Sequence, residues 1–271
     1  MTRFAQVTAA ALALAAPVFA ACDYGTHLYP REHTVPVSTF GYNGLIGPLN
    51  WYGLNKTANK LCATGQHQSP IVLDSSIATA QGSSISFNVD AYPFGTEFEN
   101  LGSTLEVPVN GTLKAGGKNY KLAQFHFHTP SEHRINSEYH PMELHFVFST
   151  ADKSTAVVAF LISLGLPDVL LSSVFERVNE IATPGETTQT GPLLFAALES
   201  HLKSNTIYTY SGSLTTPPCT EGVAWYISTQ PLQIDEVTYG RVKDVLKFNA
   251  RYTQNKLGGV NLLQNAANEL K

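Results

Sequence analysis

Charge is scarce in this 271-residue chain: Asp, Glu, Lys and Arg together make up 14%, and the formal net charge at pH 7 is -4. No basic cluster stands out, so nothing is suited to gripping nucleic acid or an anionic membrane. Long apolar runs are lacking beyond the N-terminal segment, and that one falls short of the about 20 residues needed to cross a bilayer. There is no internal repeat and no linker to divide the chain. Cysteines number only three, which in an oxidising compartment allows one pair and leaves one thiol over.

The first residues carry a short basic start with Arg3, an alanine-rich apolar run, and Val18-Phe19-Ala20. Small or β-branched residues three and one before a cut suit signal peptidase, so residues 1–20 read as a leader cleaved after Ala20 and the remainder as a secreted, soluble protein. Phe19 is a poor residue three before Cys22, which argues against a lipid anchor there. Residues 21–271, roughly 250 in number, are enough for one well-buried domain. Cys22 lies in the N-terminal arm, so the favoured pair is Cys62 with Cys219. Asn55 (NKT) and Asn110 (NGT) are N-glycosylation sequons that fit export, and predict a glycoprotein.

Gly, Pro, Ser and Thr are spread along the whole chain, as many short strands joined by turns require. Strand-like runs fall at 85–89, 104–109, 118–128, 142–149, 155–164, 205–210 and 223–228. Two helices are predicted, at 168–182 behind Asp168 and at 235–248, where apolar residues recur at helical spacing. Strands outnumber helices. The fold class is therefore mainly β, a single domain on a large, mostly antiparallel twisted sheet with peripheral helices.

Residues 124–148 read QFHFHTPSEHRINSEYHPMELHFVF, and they carry the densest chemistry. A strand sets i and i+2 on one face, so His126 and His128 can point two imidazoles into one cavity with Phe125 and Phe127 behind them. His145 sits in a second strand-like run, ELHFVF. If the two strands lie side by side, three nitrogens converge, and three protein nitrogens with an open fourth position are the pattern of a catalytic zinc. Gln124 and Glu143 each stand two residues before a histidine, placed to fix a ligand ring from behind. Further on, residues 211–227 read SGSLTTPPCTEGVAWYI, and Pro217-Pro218 stiffen the backbone just after Thr215 and Thr216.

The motifs QFHFH, SEH, ELHFV, SLTTPP, QSPI (68–71) and NARYTQ (249–254) occur together and in order, and with them the chain resembles the α-class carbonic anhydrases over about 40–257. The resemblance implies zinc-dependent, reversible hydration of carbon dioxide to bicarbonate and a proton by zinc-bound hydroxide. It implies His126, His128 and His145 as ligands to Zn2+, with Gln124 and Glu143 behind them. Thr215 would accept a hydrogen bond from the hydroxide and pass its own proton toward Glu132, with Thr216 beside the substrate. Val147, Val157, Leu214, Val223 and Trp225 would line the apolar wall for carbon dioxide, and Tyr42 would belong to an ordered-water network. Cys62 and Cys219 match the disulfide of secreted members.

One position departs from the family. Fast members carry a histidine at the cavity mouth in the form N-x-G-H-T, where this chain has Asn100-Leu101-Gly102-Ser103-Thr104. Serine does not titrate near pH 7, so Ser103 predicts turnover limited by proton export and dependent on buffer, with His67 as a substitute candidate. His133 reads as a structural ring bonded inside the fold. Two other readings compete. A cupin-type metal enzyme would use His126, His128 and Glu132, but its glycines are missing. A zinc-containing, non-catalytic binding or storage protein on the same fold would typically have lost a zinc histidine, and none is lost here.

Overall fold

The computed structural model describes residues 35–270. The predicted leader, Cys22, His27 and His33 lie outside the described residues. Lys118–His128, Met142–Ser149 and Thr155–Leu164 form the centre of the structure as adjacent antiparallel strands, at the bounds predicted from sequence. They belong to a 12-stranded sheet that continues on one side through Leu105–Pro108, Glu97–Asn100 and Thr187–Gln189. On the other side come Glu221–Ser228, Thr206–Ser213 and Thr79–Gln81. The sheet is mixed: Thr155–Leu164 pairs in parallel with both Glu221–Ser228 and Leu232–Ile234, while the remaining pairs are antiparallel.

Both faces of the central strands are covered, so the chain is buried throughout 122–128 and 142–149 even where the side chain is polar. Phe125, Phe127, Phe146, Phe148 and Phe160 face the larger core. On the opposite face Val147, Val157, Val223 and Trp225 pack with Ile71 and Leu73. Alternation then leaves His126, His128 and His145 on that second face.

The helical segment predicted at 168–182 is two pieces. Asp168 caps Val169–Val174 by accepting from the Leu171 amide, and a 3-10 turn at Val178–Ile181 follows. Phe175, Val178 and Ile181 are all buried at a strict spacing of three, the repeat of the tighter helix. Asp235 caps Glu236–Leu246 as expected, through the Thr238 amide. Sequence reading passed over Ala196–Ser204 and Leu262–Glu269, whose exposed faces leave few apolar positions to reveal a period.

Cys62 and Cys219 are joined, 157 residues apart, and tie the helix Lys60–Thr64 to the loop that carries Thr215 and Thr216. Both are fully buried. Closing so long a loop stabilises by about 4 to 5 kcal/mol in the chain-entropy picture. The double variant C62S/C219S is expected to lower the unfolding free energy from urea titration by most of that amount, seen as a lower midpoint. An unchanged midpoint would show that the surrounding packing alone holds the loop.

Candidate metal centre

The antiparallel register sets His145 directly opposite His126 and Glu143 opposite His128. Directly opposed residues share a face of the sheet, so the three rings meet. Their centroids lie 5.0 Å (His126 to His128), 5.2 Å (His126 to His145) and 4.6 Å (His128 to His145) apart. One nitrogen from each ring falls within 4.8 Å of the others.

The opposite nitrogens are all taken. His126 Nδ1 donates to Gln124 Oε1 at 2.9 Å, His128 Nδ1 to the Asn249 carbonyl at 2.8 Å, and His145 Nε2 to Glu143 Oε1 at 2.7 Å. Each acceptor fixes both tautomer and ring rotation, which leaves Nε2 of His126, Nε2 of His128 and Nδ1 of His145 as lone-pair donors. His128 Nε2 is buried and makes no hydrogen bond, a costly state for a polar atom unless something fills it. Burial holds His128 down to about 4 and keeps His126 and His145 below the ordinary imidazole range, so all three rings are neutral at pH 7. Three neutral imidazoles at one point fit zinc.

A second group, His133, Glu143 and His145, also lies close together, yet it is a brace. Glu143 Oε1 accepts from His133 Nδ1 at 2.6 Å as well as from His145, and Oε2 accepts the amides of Glu132 and His133 at 2.8 Å each. Burial alone would raise the Glu143 pKa, but His133 and His145 beside it hold it well below the usual carboxylate range. His133 Nε2 is bonded to Tyr210 at 2.7 Å, and Tyr210 to Ser69 at 2.8 Å, so this ring is indeed tied inside the fold.

Glu132 is fully buried, and burial raises its pKa to about 7 against the lowering influence of His145, Thr215 and the Arg251 amide. Its Oε1 accepts from Arg251 N at 2.8 Å. Its Oε2 lies 3.5 Å from His128 Nε2 and makes no hydrogen bond of full geometry, although the Thr215 side chain adjoins the carboxyl. Thr215 and Thr216 are both buried in the loop, where Cys219 N donates to the Thr216 carbonyl at 2.8 Å. Val147, Val157, Val223 and Trp225 form one cluster with Leu214 against it, and Trp225 stands 5.0 Å from the His145 ring.

Tyr42 packs edge-on against Phe40 and Trp51, with its hydroxyl buried and without a hydrogen bond. Ser103 is only 2% exposed, and its hydroxyl is taken by Ser38 at 2.6 Å, so it is a covered residue rather than an open one. His67 is exposed, and its amide is held by Glu221. Asn55 and Asn110 are exposed, and Asn55 Oδ1 accepts from the amides of Thr57 and Ala58.

Asn249, in the NARYTQ motif, engages all of its side-chain polar atoms and its carbonyl around the site. Besides the bond from His128, its Oδ1 accepts from Thr129 N, and its Nδ2 donates to the carbonyls of Ser103 and Phe127. Arg251 is the second such residue. Buried at 1% exposure, its guanidinium donates to the carbonyls of Ser69 and Cys62 and to Gln68 Oε1, while its amide holds Glu132. Only the NARYTQ run itself could have pointed to them.

The family profile of eukaryotic-type carbonic anhydrases matches residues 46–265. A carbonic anhydrase of Neisseria gonorrhoeae is 36% identical over 230 residues, covering 84% of this chain and 84% of that protein. The solved structure of a fungal alpha carbonic anhydrase from Aspergillus oryzae is similar with TM-score 0.81 and 51% identity, covering 84% of this chain and 98% of that one. An alpha carbonic anhydrase from Thermovibrio ammonificans, solved with the inhibitor sulfanilamide, reaches TM-score 0.72 at 31% identity, covering 80% and 95% of the two chains. With a profile match over most of its length, relatives that share its sequence and neighbours that share its sheet, the chain belongs to the eukaryotic-type, or alpha, carbonic anhydrase family.

Proposed function

We propose that this enzyme hydrates carbon dioxide reversibly to bicarbonate and a proton, with zinc held by His126, His128 and His145. The observation that carries the reading is the pairing of three converging free nitrogens with three anchored ones. Bound there, zinc supplies the Lewis acidity that brings the pKa of water close to neutrality, an effect for which carbonic anhydrase is the standard example.

The chain's own groups supply orientation and desolvation. Glu132, when ionised, can only accept, so the Thr215 proton is committed to it and the Thr215 oxygen can only accept from the attacking oxygen. That one-way arrangement aims the nucleophile's lone pair at the substrate carbon. Val147, Val157, Leu214, Val223 and Trp225 offer an uncharged gas a dry wall, and Thr216 stands beside it. Gln124 and Glu143 hold two ligand rings; Asn249 holds the third. Each turnover forms one carbon–oxygen bond and releases one proton, which must reach solvent without a histidine at position 103. Export turnover is therefore limited by buffer.

Retention of all three histidines disfavours a non-catalytic binding or storage protein. The buried Cys62–Cys219 disulfide belongs to an oxidising, non-cytosolic setting. We assign secretion after loss of residues 1–20 and sugar attachment at Asn55 and Asn110 on the same reading. Among the described residues no helix is long and apolar enough to cross a membrane.

Several outcomes are expected from stopped-flow hydration with bound zinc measured in parallel. Thr215→Ala should lower kcat/KM by about 100-fold while zinc stays bound. Gln124→Ala should weaken zinc by roughly 10- to 100-fold in chelator competition. A sulfonamide should inhibit. Turnover should climb with imidazole concentration. Full zinc occupancy without hydration would favour the binding protein, and a maximal rate that ignores buffer would remove the proton-export limit.

A further inference from the structure

The turn that carries Ser103 is pinned from every side except one. Asn100 exchanges bonds with the 181–186 segment, through its Nδ2 to the Ile181 carbonyl, its amide to Glu186 and its carbonyl from Gly185. Gly102, at φ +76°, donates to Asn100 Oδ1, Leu101 N donates to Thr104, and the Ser103 carbonyl accepts from Asn249. This turn has no slack. The remaining side is covered by the chain just before Phe40. Ser38 N donates to the Leu101 carbonyl at 2.9 Å, and its hydroxyl meets Ser103 Oγ at 2.6 Å. Val37 closes over Gly102 and Gly185: a β-carbon added to either would come within 3.1 Å and 3.4 Å of its methyls.

Among the described residues, few ties hold the covering segment. Its firm anchor is Phe40, buried at 2% exposure against Trp51 at 5.5 Å, whereas Val37 is 48% exposed. Upstream of that anchor, among the described residues, one backbone bond and one hydroxyl pair hold Ser38 to the turn.

From this contrast, and building on the hydration reading above, we infer that Val37 and Ser38 form a strap that closes position 103 to proton release, so that this exit is shut by the strap as well as by the absence of a titrating side chain at Ser103. A group placed at position 103 then works as a shuttle only when the strap is loosened. Proton release in the native chain takes another way out.

The test compares Ser103→His with V37G/S38G/S103H in the full zinc-loaded chain, by stopped-flow hydration at saturating carbon dioxide without added buffer base. The triple variant should exceed Ser103→His by at least about tenfold in buffer-free kcat, a small part of what a placed acid–base group contributes. The two should match in kcat/KM, which reports the chemical step. NMR titration gives a readout independent of turnover: the introduced imidazole should titrate near about 6.5 in the triple variant and lower under the closed strap. A Ser103→His variant that already equals the triple, or a triple that gains nothing, overturns the inference. Should the histidine variants not fold, V37G/S38G alone should reach half-maximal rescue at a lower imidazole concentration than the native chain, since a wider exit admits buffer more readily; an unchanged concentration overturns it. If no protein in the series hydrates carbon dioxide at any imidazole concentration, the hydration reading fails instead.

Discussion

The register between Lys118–His128 and Met142–Ser149 is the constraint on which the remaining structure depends. A slip of one residue would turn His145 toward the phenylalanine core and bring Leu144 or Phe146 against His126. What prevents the slip is the alternation on both strands at once. Phe125, Phe127, Phe146 and Phe148 must stay with Phe87 and Phe160 in one aromatic cluster, where neighbouring rings lie 5.1 to 6.2 Å apart. Burying four such side chains is worth on the order of 10 kcal/mol in total, at about 1.5 to 3 kcal/mol each. The apolar face therefore fixes where the polar face meets, and the register irregularity falls after Val147, beyond the histidine pair.

A dry site of this kind carries an internal tension. Burial disfavours every charge, yet Glu132, Glu143 and Arg251 are all buried within one neighbourhood. Glu143 resolves it by accepting four hydrogen bonds, two from rings and two from amides. Glu132 has only the Arg251 amide on Oε1, which leaves Oε2 the less satisfied oxygen and the one able to receive a proton from a neighbouring hydroxyl. The histidines resolve it by remaining neutral.

Local pattern made the centre of the fold legible and the periphery less so. The strands at 118–128 and 142–149 were readable because apolar and polar residues alternate along them, and the strand at 155–164 because it is apolar almost throughout. The 168–182 segment misled because spacings of three and four coexist there, and the split at Phe175 follows the spacing of three. The histidines and their i-2 acceptors were legible because strand geometry makes those neighbours contacts. Asn249 was not, since it reaches His128 across 121 residues of chain. The same reason hid the covering of Ser103, which depends on Ser38, 65 residues earlier.

Long-range ties of this sort set the geometry of Thr215 as well. Its loop is joined at Cys219 to Cys62, the Cys62 carbonyl is held by Arg251, and the Arg251 amide holds Glu132. Gln68 closes the circuit, donating to the Cys219 carbonyl at 3.0 Å while its Oε1 accepts from Arg251 at 3.0 Å. Thr215 and Glu132 thus sit on different segments that are both tied to Arg251, the first through Gln68 and Cys62, the second through the Arg251 amide. A fixed guanidinium fork with several carbonyl acceptors loses little further freedom per bond, so it suits the role better than a lysine of similar reach. Displacing any one tie shifts Thr215 and Glu132 relative to each other, although no tie but the Arg251 amide touches either side chain. Precision at the reacting oxygen is in this sense a property of the circuit, and its parts are scattered from residue 62 to residue 251.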